Sequence, residues 1–335
     1  MSKTAKKTSK KKVAKIVIIS LVVFVVINLL GAAIGTSTAI THPSGSTYEA
    51  QIASVKEHGG WGDYDSYDKF DYIVNGLDGY ELNCTKVSTP ETEGTGKYVI
   101  ITHGFGNNKY GCVKFCGPFI DLGFTCITYD VRAHGNNGKS LCTMGQLESP
   151  DLNYIIEDTY SRYGDVDILG LQGESMGSLI TLNTLKLTDK VDFCVADCGF
   201  CSLQYMVHDM YDHMYLYPFG TCADIGFKVL YGVDTAEVSG IDALKGKGVP
   251  ILFIHGTADK KIYPHNSELM YEEASKYAYC ELWMVEGAAH GCAREVAGEE
   301  EYSRHIGSFL ESAGVVSSED AGSEVGEGEV GAEAA

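Results

Sequence analysis

Short apolar runs alternate with stretches of helical period between residues 69 and 310. Because each apolar run is typical of a buried strand, the alternation predicts a mostly parallel sheet with helices on both faces. The predicted strands lie at residues 98–102, 124–130, 166–171, 193–196, 250–255 and 279–285. The predicted helices lie at residues 111–122, 151–163, 178–185, 267–277 and 302–310. An antiparallel hairpin at residues 71–87, with its turn at 76–79, comes before this unit.

Near the N-terminus the pattern changes to one unbroken apolar stretch, residues 16–34, whose polar interruptions are Ser20 and Asn28. As a helix it would be about 28 Å long, close to the hydrocarbon thickness of a bilayer. Seven lysines precede it, and no Lys or Arg follows until Lys56. This asymmetry predicts a transmembrane signal anchor at residues 16–35, with a cytoplasmic N-terminus at 1–15 and the rest outside the cytoplasm. A cleavable signal peptide is the alternative, because small residues follow the stretch.

The remaining chain divides into a connector, a domain and a cap. Residues 36–68 form the connector, with a short helix expected at 48–57, and residues 69–312 form the α/β domain. About fifty residues separate two of its strands, far more than a βα crossover requires, which predicts a cap at about 200–247. Residues 205–217 are rich in Tyr and Met. Such a segment suits either an adaptable wall over a binding site or a small core of the cap itself.

The stretch Gly173-Glu174-Ser175-Met176-Gly177 carries the first candidate chemistry. It lies between a predicted strand and a predicted helix, and G-x-S-x-G in that context is typical of a nucleophile elbow, which lifts a serine hydroxyl out of the fold. Ser175 is therefore the candidate nucleophile. Gly173 and Gly177 fit the same turn, because side chains there would collide with the strained backbone.

A serine nucleophile needs a general base and an acid that orients the base, here expected in the order Ser, Asp, His. Asp259 and His290 each follow a predicted strand downstream of Ser175. Since open α/β sheets place their sites beyond the carboxyl ends of the strands, both residues are candidates. Asp197, which ends the strand after the nucleophile, is the alternative acid.

A possible oxyanion site lies upstream, where a predicted strand runs into His103-Gly104-Phe105-Gly106. The glycines of this turn can free a backbone N–H to face an oxyanion. Together with the N–H that follows the nucleophile, this arrangement offers two donors, from Phe105 and Met176.

In their order along the chain, these motifs resemble the α/β-hydrolase superfamily. The motifs are HGFG at 103–106, YDVRAHG at 129–135, GESMG at 173–177, HGTAD at 255–259 and EGAAH at 286–290. More narrowly, the chain resembles the bacterial membrane-tethered branch related to serine aminopeptidases and lysophospholipase-like esterases. The resemblance implies an α/β-hydrolase fold with a small helical cap.

The resemblance also implies roles for the candidate residues. Ser175, Asp259 and His290 would form the catalytic triad, and Phe105 and Met176 would supply the oxyanion hole. The supporting positions would be His103, Gly104, Gly173 and Gly177. We expect Asp130 and Arg132 to form a structural polar contact beside the site.

The expected activity is that of a serine hydrolase, which cleaves a carboxylic ester through an acyl-enzyme intermediate. A peptidase or amidase resembling the serine aminopeptidases is the alternative. A binding protein on an inactive hydrolase scaffold is a further one, although the sequence retains all three triad residues. The expected partners are a small ester or peptide substrate and, through the N-terminal helix, a membrane; the sequence does not predict the oligomeric state.

Charge and cysteine content limit the remaining possibilities. The net charge is −19, and without the seven N-terminal lysines 19 basic residues face 45 acidic ones. Such an acidic domain argues against nucleic-acid binding. Part of the acidity belongs to residues 313–335, where Gly, Ala, Ser and Glu predict a disordered tail.

The chain has eleven cysteines. Three of them lie within predicted strands, where we expect them to be small buried hydrophobic residues: Cys126, Cys194 and Cys280. Cys198, Cys201, His208 and His213 imitate a zinc-finger pattern, but the spacing between the Cys and His pairs is about half of what a finger uses. We therefore expect no metal and no cofactor. In an exported domain Cys198 and Cys201, the nearest pair in sequence, could form a disulfide.

Overall fold

The computed structural model describes residues 3–317, with side chains from Lys10 onward. Its centre is an eight-stranded sheet in the order β1-β2-β4-β3-β5-β6-β7-β8. The strands are β1 Asp68–Asn75, β2 Glu81–Ser88, β3 Lys97–Thr102, β4 Thr125–Tyr129, β5 Ile168–Glu174, β6 Phe193–Asp197, β7 Ile251–Gly256 and β8 Cys280–Val285. The pairs β1·β2 and β2·β4 are antiparallel, and the strands from β4 to β8 in the sheet order are parallel.

Eleven α-helices surround the sheet in the described chain. They are α1 Lys3–Thr41, α2 Tyr48–Glu57, α3 Cys116–Ile120, α4 Glu148–Tyr163, α5 Met176–Thr184, α6 Leu203–Asp212, α7 Tyr217–Tyr231, α8 Gly240–Ala243, α9 His265–Ala274, α10 Ala293–Ala297 and α11 Glu299–Ser312. Alternate strand residues point to opposite faces, so Ile100 joins a core with α4, α5 and α9, whereas Val99 and Ile101 join one with α3 and α11. This is the two-faced layering that the hydrophobic pattern predicts.

The predicted helix at residues 111–122 is wrong. A 3₁₀ helix over Lys109–Phe115 leads instead into the short α3. Pro118 explains the break, because it has no N–H to bond the carbonyl of Lys114 and is tolerated only in the first turn of a helix. The predicted helix at 151–163 begins earlier, at Glu148, whose carboxylate accepts the N–H groups of Thr143 and Gly145 and so fixes the helix start.

The helix α1 continues beyond the predicted end of the membrane segment at residue 35 and ends at Thr41. Between Lys10 and Thr41 it is long and apolar enough to cross a membrane, and its apolar side chains from Val13 to Leu30 are exposed. Its last turns pack along the cap helix α7. Most of the predicted tail at 313–335 lies outside the described residues.

The connector is more ordered than a linker. The expected short helix is present as α2, capped at its start by Thr47, whose side chain accepts the N–H of Ala50. Ser46 donates its N–H to Gly106 at 2.9 Å, and Asn108 donates from its side chain to the carbonyl of Ser46 at 3.0 Å. The connector is therefore fastened to the turn that follows β3.

Asp130 and Arg132 do not form the expected contact with each other. The carboxylate of Asp130 accepts the N–H groups of Lys109 and Asn136. The guanidinium of Arg132 binds the buried carboxylate of Asp151 in a bidentate pair, at 2.7 and 2.8 Å. The carboxylates of Asp130 and Asp151 still have structural roles, because each connects loops above the sheet.

Candidate active site

Ser175 lies at the junction of β5 and α5, between the last strand residue Glu174 and the first helical residue Met176. Its backbone angles, φ 56° and ψ −114°, lie outside the regions that non-glycine residues ordinarily occupy. Its N–H donates to the carbonyl of Asp197 on the neighbouring strand β6 at 2.8 Å. Such a conformation costs about 1–3 kcal/mol and persists only where the surroundings hold it.

The two motif glycines permit close packing around this turn. A Cβ on Gly173 would lie 2.3 Å from the carbonyl oxygen of Gly177, and a Cβ on Gly177 would lie 2.1 Å from the carbonyl oxygen of Thr102. Both distances are far below contact distance. Any side chain at either position would push α5 away from β5 or from the end of β3.

The structure brings Ser175, His290 and Asp259 into one hydrogen-bonded chain. Ser175 Oγ lies 2.8 Å from His290 Nε2, and His290 Nδ1 lies 2.6 Å from Asp259 Oδ2. With the Nδ1 proton donated to the carboxylate, Nε2 is left to accept the proton of the serine hydroxyl. The geometry is that required for a serine nucleophile and its base.

Asp259 is held in place by its own loop. Its Oδ1 accepts the N–H groups of Lys261 and Ile262 at 2.8 and 3.0 Å. Burial opposes ionisation, but hydrogen bonds from His255 and His290 hold the pKa of Asp259 well below its usual range. Asp259 is therefore held as a carboxylate beside His290.

Asp197, the alternative acid, has a different partner. Its Oδ2 accepts a hydrogen bond from the hydroxyl of Tyr302 at 2.9 Å in the buried core. Burial, with the nearby charge of Glu174, raises the pKa of Asp197 to about 7. Near neutral pH this side chain is therefore a mixture of the acid and the carboxylate.

The turn from His103 to Gly106 lies against the nucleophile. A Cβ on Gly104 would be 3.5 Å from Ser175 Cβ. His103 Nε2 accepts the N–H of Val131 at 3.0 Å, which leaves the proton on Nδ1 to donate to the Gly104 carbonyl at 2.7 Å. Burial, together with His134, lowers the pKa of His103 to about 3, so the ring stays neutral and fixes this turn.

The backbone N–H of Met176 belongs to the first turn of α5, whose N–H groups have no partner within the helix. It is therefore available to a ligand beside Ser175 Oγ. Phe105 follows Gly104 in the adjoining turn, and its side chain is exposed at the mouth of the site. The two candidate oxyanion donors thus lie on the two segments that meet at Ser175.

Sequence reasoning missed Lys114. This buried ammonium donates to Glu174 Oε1 at 2.6 Å and to the carbonyl of Gly291 at 3.2 Å. Burial would lower the pKa of Lys114, but the charges of Glu174 and Glu295 raise it above its usual value. Lys114 therefore bridges Glu174, the residue before Ser175, and Gly291, the residue after His290. No local motif could have revealed it, because the three segments are distant in sequence.

A cavity of about 390 Å³ opens over Ser175 and His290. Its remaining lining is mostly polar and includes Lys114, Glu174, Lys261 and Glu295. One wall comes from the connector, through Gln51, Ser54, Val55 and His58 of α2 and its C-terminus. The Tyr- and Met-rich segment 205–217 does not line this cavity. It joins the cap core instead, where Val207 and Tyr211 are buried.

The residues that imitate a zinc finger are not assembled. His208 Nε2 pairs with Asp224 at 2.6 Å, and His213 stacks on Tyr263. Between residues 3 and 317 there is no cluster of three or more His, Cys, Asp or Glu side chains that could hold a metal ion. All eleven cysteines, Cys198 and Cys201 included, are free thiols.

Comparison with known proteins agrees with this architecture. A sequence model of the α/β hydrolase fold matches residues 97–228. The uncharacterized protein YqkD of Bacillus subtilis (strain 168) is 27% identical over 254 residues, which cover 74% of this chain and 81% of YqkD.

Solved structures share the same fold. The Pyrococcus furiosus esterase Pf2001 is similar with a TM-score of 0.61 and 21% identity, covering 76% of this chain and 96% of the esterase. The Pyrococcus horikoshii acylaminoacyl peptidase is similar with a TM-score of 0.57 and 15% identity, covering 73% of this chain and 41% of the peptidase. The predicted α/β-hydrolase fold is confirmed.

The raised pKa of Asp197 predicts a dependence of stability on pH. The folded state binds a proton at Asp197 more tightly than the unfolded state does, so binding of this proton stabilises the folded protein. The stabilisation is complete below the unfolded pKa near 4 and is lost as pH rises through about 7. Asn cannot ionise, so Asp197→Asn should remove this dependence. The wild type should lose stability relative to the variant by up to about 1.4 kcal/mol per pH unit in this window.

Urea unfolding of the full chain in detergent, at pH values from 4.5 to 8, measures the difference. The exposed Asp189→Asn is the matched control and should follow the wild type. Parallel pH curves for Asp197→Asn and the wild type would show that Asp197 has an ordinary pKa in the folded protein.

Proposed function

We propose that this chain, which belongs to the α/β-hydrolase superfamily, is a membrane-anchored serine hydrolase that cleaves carboxylic esters through an acyl-enzyme. The observation that carries the proposal is the unbroken hydrogen-bond chain from Ser175 through His290 to Asp259. It opens on a cavity at the carboxyl ends of the parallel strands, where α/β folds bind their ligands.

In the proposed reaction, His290 Nε2 takes the hydroxyl proton as Ser175 Oγ attacks the ester carbonyl. The tetrahedral oxyanion accepts hydrogen bonds from the backbone N–H groups of Phe105 and Met176. His290 then gives its proton to the leaving alkoxide, and an acyl-Ser175 remains. Water attacks this acyl group with His290 again as base, releasing the carboxylic acid and the free serine. Asp259 holds the imidazole and stabilises its charged form throughout.

The cavity favours a small polar substrate. Much of its lining is charged, and the long apolar groove that a fatty acyl chain would need is not part of the described cavity. A peptidase acting on short peptides is a second candidate, because the carboxylate of Glu295 lines the same cavity and could pair with a free amino group. An ester is easier to cleave than a peptide, because its alkoxide leaving group depends less on protonation than the amine that a peptide releases.

The anchor part of the proposal rests on α1. Its exposed apolar surface from Val13 to Leu30 would be costly in water, and lysines precede it on the N-terminal side only. These features support a single span with the N-terminus in the cytoplasm and the hydrolase domain on the other side.

A fluorophosphonate probe should label the full-length protein in membranes at Ser175. Ser175→Ala should abolish labelling, because the probe reacts with an activated serine hydroxyl. Ser178→Ala, three residues further on and buried in α5, is the matched control and should label like the wild type. Labelling that survives in Ser175→Ala would place the nucleophile elsewhere.

Asp259→Asn should give a folded protein with kcat lowered by roughly 10⁴ and KM little changed, because the imidazole loses the acid that fixes its tautomer. Asp197→Asn, which keeps the backbone carbonyl that holds Ser175, should retain most turnover. Steady-state kinetics on short-chain acyl esters, set beside aminoacyl amides, would measure both effects and separate esterase from peptidase. Loss of kcat in Asp197→Asn alone, with both variants melting like wild type, would identify Asp197 as the acid.

Protease added to intact cells should digest the chain after Ile34 and spare the lysine-rich N-terminus, since the hydrolase domain is proposed to lie outside. Epitope tags at the two ends, read by immunoblot before and after permeabilisation, measure this topology. Full protection of the C-terminal tag would reverse the orientation. A free domain in the medium that begins near Ile40 would identify α1 as a cleaved signal peptide.

A further inference from the structure

The cap carries an exposed apolar surface, which we call the cap face. It comprises Met214, Tyr215, Leu216, Tyr217, Ile225, Val229 and Leu230, on α7 and on the turn before it. Tyr215 is 82% exposed and Val229 is 76% exposed. Nothing in the described part of the chain covers these side chains, although the opposite side of α7 is packed into the core through Ala223 and Phe227.

The cap face lies directly beside the anchor helix. The two helices approach closely at Gly226, where a Cβ would lie 2.0 Å from the carbonyl oxygen of Ala33. One turn later along both helices, Tyr231 bonds to Thr38 through their hydroxyl groups at 2.7 Å. Because Ala33 pairs with Gly226 and Thr38 with Tyr231, α7 runs parallel to the last turns of α1.

This parallel arrangement fixes the depth of α7 relative to the anchor. Ala33 is next to the outer end of the apolar stretch at residues 16–34. From Gly226 back to Tyr217, α7 descends alongside α1 by up to about 14 Å, in the direction of the bilayer. The residues at its lower end therefore lie at the level where the anchor would be surrounded by lipid.

The polarity of α7 follows the same direction. At the lower end the exposed side chains are aromatic or apolar, as in Tyr215, Leu216 and Tyr217. At the upper end the apolar Val229 and Leu230 are exposed too, and beside them Lys228, whose side chain is 70% exposed, forms an ion pair with Asp234 at 2.8 Å. Tyrosine is a residue that proteins favour at the membrane–water interface. The exposed charge of α7 thus lies toward its upper end, which suits a helix that enters this interface with its N-terminal end.

We propose that the cap face is seated in the outer interface of the lipid bilayer beside α1, an inference that rests on the membrane anchor proposed above. The occupant is lipid, rather than a second protein, because α7 packs against α1, whose own apolar side chains around Ile27 and Leu30 are exposed as well. The same surroundings must cover both surfaces.

Seating the cap brings the candidate active site close to the membrane surface. The helix α1 ends at Thr41, whose carbonyl accepts the N–H of Cys142. Three residues later the carbonyl of Ser44 lies against Gly106, in the turn that carries Phe105. Three extended residues span at most about 11 Å. The substrate would therefore reach Ser175 from the membrane-proximal layer of water.

Tryptophan fluorescence in vesicles of phosphatidylcholine brominated on one acyl chain tests this seating, because bromine quenches only indoles that lie among the acyl chains. The full chain would carry Tyr217→Trp on the cap face or, as matched control, the exposed Tyr279→Trp before the edge strand β8. Phe24→Trp reports on the anchor itself. The native Trp61 and Trp283 give a constant background, which the wild type measures.

We expect the added emission of Phe24→Trp and Tyr217→Trp to fall roughly two-fold or more in brominated vesicles, and that of Tyr279→Trp to stay unchanged. Quenching of Phe24→Trp without quenching of Tyr217→Trp would overturn the seating and leave the anchor intact. A blue shift of Tyr217→Trp without quenching would also overturn it, since the face would then be covered by protein. An unquenched Phe24→Trp would refute the anchor and the seating together.

Fluorophosphonate labelling in the same vesicles reports separately on Ser175 and on correct folding of each variant. If Tyr217→Trp does not label, Ile225→Trp on the same face replaces it, and its quenching decides the outcome by the same criteria.

Discussion

The positive-φ backbone of Ser175 is the constraint on which the rest of the site depends. A strand must end, reverse and become a helix within one residue, and this strained residue is a serine rather than a glycine. The strain is sustained because β5 and β6 are paired on one side, with the Ser175 N–H bonded to β6, and α5 is packed against β5 and β3 on the other. A well-packed sheet is therefore a condition for an exposed nucleophile, since a looser sheet would let the turn relax.

Buried charged side chains also determine how the site is arranged. Glu174 and Asp197 are buried close to Ser175, and Lys114 is largely buried beside them, so that isolated charges there would be very costly. Lys114 neutralises Glu174, while Asp197 avoids part of the cost through its raised pKa and its bond to Tyr302. Because Lys114 also binds the carbonyl of Gly291, the same ion pair that relieves the buried charge of Glu174 fixes the His290 loop relative to Ser175.

The sequence predicted the parts of this arrangement that are local. Ser175, Asp259 and His290 each follow a strand, so the hydrophobic pattern and short motifs located them, and the structure brings the three together. The role of Lys114 could not be predicted, because it depends on three segments that meet only in the folded protein. The prediction of one helix over residues 111–122 was wrong because it gave more weight to apolar periodicity than to Pro118. The missing N–H of this proline breaks the helix.

The connector, rather than the Tyr- and Met-rich segment of the cap, lines the cavity, contrary to what composition suggested. The Tyr- and Met-rich segment, a candidate wall of the site, contributes Tyr211 and Val207 to the cap core and leaves its tyrosines at 215 and 217 exposed. The connector, a candidate linker, supplies α2 as a wall of the cavity. Since α1 and α2 are only a few residues apart and the segment between them is bonded to the turn at Phe105, the orientation of α1 and that of the cavity are linked. The end of α1 is thus a structural support of the site, because displacing its last turn would move the segment that lines the cavity.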